Sequence, residues 1–163
     1  MSEAAELASK LKAEGDKFSA LFGGLEPKEW STEVYAEGSV WTNRSILAHL
    51  MTAEGAFLKL FEDIRQGGAG SSEDFVIDRY NARQQEKTRE LSPAELLQQY
   101  RELRSRMIAW VSGLQDSELE RTGRHPFLGL TTLREMIKLI YIHNQQHLRD
   151  IRRVLRDTGS QPG

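Results

Sequence analysis

Two histidines lie four residues apart near the end of the chain, inside its longest stretch of helical apolar periodicity. They are His143 and His147, and a helix brings residues with this spacing to one face, one turn apart. Two such imidazoles can bind one metal ion, but a tetrahedral ion such as zinc needs further ligands. His49, which interrupts a second apolar stretch, can supply a third. Three histidines leave one coordination position open, which is typical of catalytic rather than structural sites.

Four long amphipathic segments must position these histidines, because apolar residues recur in each with the helical period. They cover about residues 5–24, 42–66, 92–113 and 132–157. Thr42, Ser92 and Thr132 are predicted N-caps, and the last two have a capping-box glutamate three residues later. Residues 67–91 are too long for a tight turn, and we expect a short helix around residues 73–87 and a helical turn at residues 116–119.

Strands are not predicted, since no segment alternates over a strand's length; only Val34-Tyr35 and residues 39–41 could be short extended pieces. No internal repeat is visible. The sequence therefore predicts an all-α four-helix bundle with a long crossover between its second and third long helices. Its length fits a single domain over residues 1–163, with a core over about residues 5–157.

Helical geometry allows the three histidines to meet. With about 100° per residue, His143 and His147 fall on the flank of the apolar stripe of the last helix, and His49 flanks the stripe of the second. At about 1.5 Å per residue, His49 and His147 lie at similar depths if the two helices are antiparallel. His125 precedes the last helix and is expected at the opposite end. Glu54 points about 140° away from His49, so it is not a predicted general base.

Composition excludes several classes of protein. The chain has no cysteine, so it offers no disulfide, thiolate ligand or thiol nucleophile of its own. Its net charge is −2, and no apolar run reaches the roughly 18 residues of a membrane span. We therefore expect a cytoplasmic protein with neither nucleic acid nor membrane as partner. An arginine cluster near the C-terminus reads as a solvated helix end that complements the helix dipole, or alternatively as an anion or nucleic-acid contact: Arg149, Arg152, Arg153 and Arg156.

Several motifs, in this order and spacing, resemble the DinB-like superfamily of bacterial metal-binding bundles. They are Trp41-Thr42 before residues 46–50, then residues 78–81, residues 124–129, and finally residues 143–148 leading to Ile151-Arg152. The resemblance implies an up-down-down-up bundle, frequent dimers, and a divalent ion, often zinc or nickel, held by His49, His143 and His147. It also implies relatives that include mycothiol- or bacillithiol-dependent transferases and isomerases, and metal-dependent hydrolases.

Three functions follow from these residues and from the resemblance. The first is a metal enzyme that acts on a small-molecule substrate with a low-molecular-weight thiol, which must come from outside a chain without cysteine. The second is metal-assisted hydrolysis, for which the sequence names no base. The third is a non-enzymatic helical module whose histidines are structural. Trp30, Tyr35 and Trp41 lie in the loop at the His49 end, where they either line the entrance to the site or cap the core.

Overall fold

The computed structural model describes residues 1–159, and within them the chain forms five α-helices. These are α1 (Glu3–Gly23), α2 (Asn43–Arg65), α3 (Ile77–Lys87), α4 (Pro93–Ser112) and α5 (Leu133–Gly159). The four predicted long helices correspond to α1, α2, α4 and α5, and the predicted short helix corresponds to α3, so the all-α bundle is confirmed. The last four residues of the predicted domain, 160–163, lie outside the described part. No helix within residues 1–159 is both long and apolar enough to cross a membrane.

The helix starts follow from their capping residues, because each cap satisfies backbone N–H groups that have no partner inside the helix. Thr42 Oγ1 accepts from the backbone N–H of Ser45 at 3.2 Å and starts α2. At α4, the Ser92 hydroxyl and the Glu95 carboxylate each accept from the other residue's backbone N–H. Thr132 Oγ1 accepts from the N–H of Glu135 at 3.3 Å, as predicted for α5.

The long helices run up, down, down and up. α1 is parallel to α5 and α2 is parallel to α4, while α2 and α5 are antiparallel, which places His49 level with the two histidines of α5. Four side-chain contacts show the two parallel pairs, because residue numbers rise together along both helices of each pair. The contacts are Glu3–Arg134, Glu14–Gln145, Glu54–Arg104 and Glu62–Trp110. Because α2 and α4 are parallel, their connection must return along the bundle, and α3 lies in that return.

Two short antiparallel hairpins join diagonal helices. One consists of β1 (Glu33–Tyr35) and β2 (Trp41–Thr42), close to the predicted extended pieces. The other consists of β3 (Thr122–His125) and β4 (Gly129–Thr132) and was not predicted; its strands are four residues long, too short to show alternation. A 3₁₀ helix precedes each hairpin, at Pro27–Ser31 and at Asp116–Glu120, and the second of these confirms the predicted turn.

The structure contains a repeated order of elements that was not recognised in the sequence. Both α1–α2 and α4–α5 follow the order helix, 3₁₀ helix, hairpin, helix. The backbone bonds also match: Asn43 N–H donates to Thr32 carbonyl in one half, and Leu133 N–H donates to Arg121 carbonyl in the other. The halves also share capping residues, with Thr42 and Thr132 at the starts of the second helices.

The start of the crossover closes one end of the bundle. Residues 69–71 lie beside β3: Arg124 N–H donates to the Ala69 carbonyl at 2.9 Å, and Ser71 N–H donates to the Arg124 carbonyl at 2.8 Å. Gly70 permits this approach, since it has a φ of 88°, and a Cβ there would lie 2.5 Å from the Arg124 carbonyl oxygen. The β1–β2 end has no such third segment among the described residues.

A buried polar layer separates two apolar clusters, one towards each end of the bundle. Its centre is Arg104 of α4, which is 3% exposed. The guanidinium donates to Glu54 of α2 at 2.6 and 3.1 Å and to the Leu11 carbonyl of α1 at 3.0 Å. Asn144 Oδ1 of α5 accepts from the same group at 2.6 Å. One side chain therefore contacts all four long helices, and Gly15 of α1 gives it room, because a Cβ there would lie 2.9 Å from Arg104 Cγ.

Candidate metal centre

The structure brings the three predicted histidines together. One ring nitrogen from each of His49, His143 and His147 lies within 4.8 Å of the other two. The Nε2 atoms of His143 and His147 are 2.9 Å apart, and the His49 ring centroid is 6.0 and 6.1 Å from theirs. Metal–imidazole bonds are about 2.0–2.1 Å long, so small side-chain movements bring the three nitrogens around one ion.

The three imidazoles are held in their neutral form, which is the form that binds metal ions. Burial, followed by the nearby His143, lowers the pKa of His49 to about 4. Burial, followed by the two other histidines, lowers the pKa of His147 to about 3. Burial also lowers the pKa of His143. At neutral pH each ring therefore carries one proton and one free lone pair.

A tyrosine and an aspartate determine which nitrogen of His147 carries the proton. The Tyr35 hydroxyl donates to Asp150 Oδ2 at 2.6 Å and lies 3.0 Å from His147 Nδ1. Since the single hydroxyl hydrogen is given to Asp150, His147 Nδ1 must carry a hydrogen and donate it to the tyrosine oxygen. Burial and then the Asp150 carboxylate raise the pKa of Tyr35, so the hydroxyl stays protonated. This leaves the Nε2 lone pair of His147 directed at the other histidines.

The side chain of Asn81 from α3 lies close enough to His49 to act on that ring, where it opposes the lowering of the His49 pKa by burial. Asn81 was noted in the sequence as part of a motif but not as a functional residue, and neither Tyr35 nor Asp150 was predicted to contact a histidine. Outer partners of this kind orient metal-binding imidazoles and raise their basicity. The crossover helix α3 therefore supports the histidine cluster as well as connecting α2 to α4.

The histidines form one wall of a cavity of about 940 Å³ between α2, α3, α5 and the β1–β2 hairpin. Tyr35 and Trp41 line it, as predicted for residues at the entrance, and the Trp41 ring meets the His49 ring edge-on at 5.1 Å. Trp30 instead stacks on Phe22 at 5.8 Å and caps the core. Of the two alternatives for these rings, the first describes Tyr35 and Trp41 and the second describes Trp30.

Two other residues, His125 as a possible ligand and Glu54 as a possible base, lie away from the histidine cluster. His125 lies in β3 at the closed end, where it stacks on Phe57 at 5.2 Å and its Nδ1 accepts from the N–H groups of Phe127 and Leu128. This agrees with its expected position far from the other histidines. Glu54 is held by Arg104 in the buried layer, so it cannot act as a base for the histidine cluster.

The Tyr35→Phe variant should bind a divalent ion about 10–100-fold more weakly, the usual effect of losing an outer partner. Phenylalanine leaves His147 Nδ1–H without its acceptor, so the neutral ring can place its proton on Nε2 instead. The measurement is competition for Zn²⁺ against a chromogenic chelator. Tyr80→Phe is the matched control, since Tyr80 packs on Phe75 and does not line the cavity. Equal affinity of Tyr35→Phe and the wild type would contradict this role.

The fold and the site define a four-helix-bundle protein in which three neutral histidines face a large cavity. The sequence profile of the DinB superfamily matches residues 10–151. The chain therefore belongs to the DinB superfamily, as the sequence motifs indicated. No curated protein matches the sequence.

Solved structures share the fold at low sequence identity. YfiT from Bacillus subtilis, described as a probable metal-dependent hydrolase with an unusual four-helix bundle topology, has a TM-score of 0.80 and 20% identity, over 99% of this chain and 91% of YfiT. The mycothiol-dependent maleylpyruvate isomerase has a TM-score of 0.74 and 15% identity, over 91% of this chain and 60% of the isomerase. The colibactin self-resistance protein ClbS, solved in complex with double-stranded DNA, has a TM-score of 0.74 and 13% identity, over 99% of both chains.

The arginine cluster near the C-terminus lies on a different side of α5 from the histidines. Arg149, Arg152 and Arg156 are exposed and line a smaller cavity of about 370 Å³ with Lys17 of α1, while Arg153 pairs with Asp150. The expectation that nucleic acid is not a partner stays a prediction; ClbS, which shares the fold, was solved in complex with double-stranded DNA.

Proposed function

We propose that this protein is a metal-dependent enzyme that binds one divalent ion, zinc or nickel, through His49, His143 and His147. The observation that carries the proposal is the convergence of three neutral imidazoles on one wall of a cavity large enough for a small molecule. Imidazole suits both ions. Three protein ligands leave a position for a substrate atom, whereas structural sites use four. The predicted homodimer and cytoplasmic location stay predictions.

The residues around the cluster fit such an ion. Tyr35 and Asp150 direct the Nε2 lone pair of His147 towards the site, and Asn81 orients His49. In the His143–His147 contact, His143 Nε2 donates to the lone pair of His147 Nε2, so binding of an ion through both Nε2 atoms would require His143 to carry its proton on Nδ1. A bound divalent ion would act as a Lewis acid that lowers the pKa of a coordinated thiol or water.

An external thiol is the cosubstrate that best fits this chain. The chain has no cysteine, so a sulfur nucleophile must enter the cavity from outside. A thiolate sulfur would form a new bond to an electrophilic carbon of the substrate while that carbon loses its bond to a leaving group or its π bond to a neighbouring carbon. The thiol proton would go to solvent, and the leaving group would depart with its electron pair, or the neighbouring carbon would take up a proton. The reaction is thus an S-transfer, or an isomerisation if the thiol is later eliminated. The fold shared with a mycothiol-dependent isomerase supports this choice.

Metal-assisted hydrolysis is the second candidate. Its support is the fold shared with YfiT, itself described as a probable metal-dependent hydrolase, and the presence of Glu37 and Asp78 in the cavity wall. Either carboxylate would have to accept a proton from an attacking water. A helical module without catalytic activity is the third, and its histidines would then bind no metal.

The thiol-dependent reaction should require both metal and added thiol. Protein purified without a histidine tag is analysed for metal, reloaded with Zn²⁺ or Ni²⁺, and incubated with electrophiles and esters in the presence or absence of a thiol panel. We expect conjugate formation only when metal and thiol are both present. Full turnover of an ester without thiol would favour the hydrolase, and protein that binds no metal would favour the non-enzymatic module.

A further inference from the structure

The walls of the histidine cavity carry negative charge only. Two carboxylates, Glu37 and Asp78, line it, and no lysine or arginine of residues 1–159 does. Neither carboxylate forms an ion pair within the described residues. Their charge is therefore not neutralised by a protein partner and is available to a molecule that enters the cavity.

The two carboxylates come from different elements. Glu37 lies in the turn between β1 and β2, and Asp78 lies in the first turn of α3. Asp78 shares a helix face with Asn81 and Gln85, since residues three or four apart in a helix are neighbours, and all three line the cavity. Asn81 contacts His49, so Asp78 stands one helical turn from the residue that supports the histidine cluster.

Two arginines on the helices around the cavity are occupied elsewhere. Arg44 of α2 donates to the carbonyls of Thr88, Arg89 and Leu91 at the end of α3. Arg153 pairs with Asp150 behind Tyr35. Neither side chain lines the cavity, so neither is placed to receive a carboxylate or phosphate of a ligand there.

We propose that the cavity selects molecules whose reactive atom binds at the histidines and whose opposite end carries a positive charge, such as an aminothiol. This inference rests on the proposed metal-dependent function and names the charge class of its cosubstrate. The thiolate would lie at the histidine end, and the ammonium group would lie between Glu37 and Asp78. The Trp41 ring lines the same cavity, and the face of an indole ring attracts cations.

A charge-matched thiol series tests the proposal. Cobalt-loaded protein is titrated with cysteamine, 2-mercaptoethanol and thioglycolate, which are similar in size and carry a positive, neutral and negative tail. Binding is followed by the sulfur-to-cobalt absorption, and each affinity is corrected for the thiolate fraction at the working pH. We expect cysteamine to bind about tenfold more tightly than thioglycolate at low salt, with the ratio falling as salt screens the exposed charges.

Two double variants locate the effect. Glu37→Gln/Asp78→Asn should bring the cysteamine-to-thioglycolate ratio close to one. Glu6→Gln/Glu102→Gln changes the net charge equally at exposed positions outside the cavity, and it should leave the ratio unchanged. Equal binding of all three thiols by the wild type, or a ratio that survives in Glu37→Gln/Asp78→Asn, would overturn the charge selection and leave the metal site standing. Protein that binds no cobalt, or cobalt-loaded protein that binds no thiol, would overturn both.

Discussion

The His143→Ala variant should bind a divalent ion more than about 100-fold more weakly than the wild type, because it would lose one of the three proposed direct ligands rather than an outer partner. Metal content after dialysis should fall from about one ion per chain to almost none. The variant should still fold, since neither apolar cluster includes any of the three histidines, so the helical circular dichroism signal should persist. For the same reason, chelation should lower the melting temperature of the wild type without abolishing the helices.

His125→Ala is the control for this variant. It also removes one imidazole, but from the closed end of the bundle, where His125 stacks on Phe57. Its stability should fall because a buried ring is lost, while its metal content should match that of the wild type. Retention of one tightly bound ion by His143→Ala, or loss of the ion from His125→Ala, would show that the metal lies elsewhere.

The Arg104→Met variant should lose about 3–5 kcal/mol of unfolding free energy, the usual cost of breaking a buried ion pair by removing one partner. Glu54 is 3% exposed, so its carboxylate would remain buried without the guanidinium that compensates its charge. Asn144 would lose a partner in the same substitution. Urea unfolding at neutral pH, followed by circular dichroism, measures the change.

Two further variants test whether the lost stability comes from the unpaired buried charge or from the loss of an arginine side chain in general. Arg101→Met removes an exposed arginine from the preceding turn of α4 and should change stability by less than about 0.5 kcal/mol. Glu54→Met/Arg104→Met removes both charges and should recover much of the stability lost in Arg104→Met, because apolar replacements of a buried pair are often tolerated. A single Arg104→Met variant as stable as Arg101→Met would show that the buried pair contributes little.

The helices and the histidine cluster were predictable because local rules determine both. Capping residues set the starts of α2, α4 and α5, and glycines mark the ends of α1 and α4. The convergence of the histidines needed only the helical period, the rise per residue and one antiparallel pair of helices. The period and the rise are fixed by backbone geometry, whereas the antiparallel direction of the two helices was an assumption, and contacts between the helices determine it in the folded protein.

The outer partners of the histidines could not be predicted in this way. Tyr35 contacts His147 across 112 residues of sequence, and its hydroxyl reaches α5 only because the β1–β2 hairpin folds over that end of the bundle. The Glu54–Arg104 pair was also missed, although Arg104 falls on the buried side of its helix between Tyr100 and Met107. An arginine within an apolar stripe is a signal for a buried carboxylate partner, but it does not identify which one.

The two ends of the bundle differ, because the open end carries the proposed binding site and the closed end carries additional backbone hydrogen bonds. Tyr35 and His125 end the first strands of equivalent hairpins. Tyr35 faces an open cavity and orients a histidine. His125 is buried within its own hairpin, to which residues 69–71 add a third segment. Substitutions at the closed end should therefore alter the unfolding free energy without altering ligand affinity, and hairpin substitutions at the open end should do the reverse. Sequence changes that give new substrate preferences can accumulate at the open end while the other end maintains the fold.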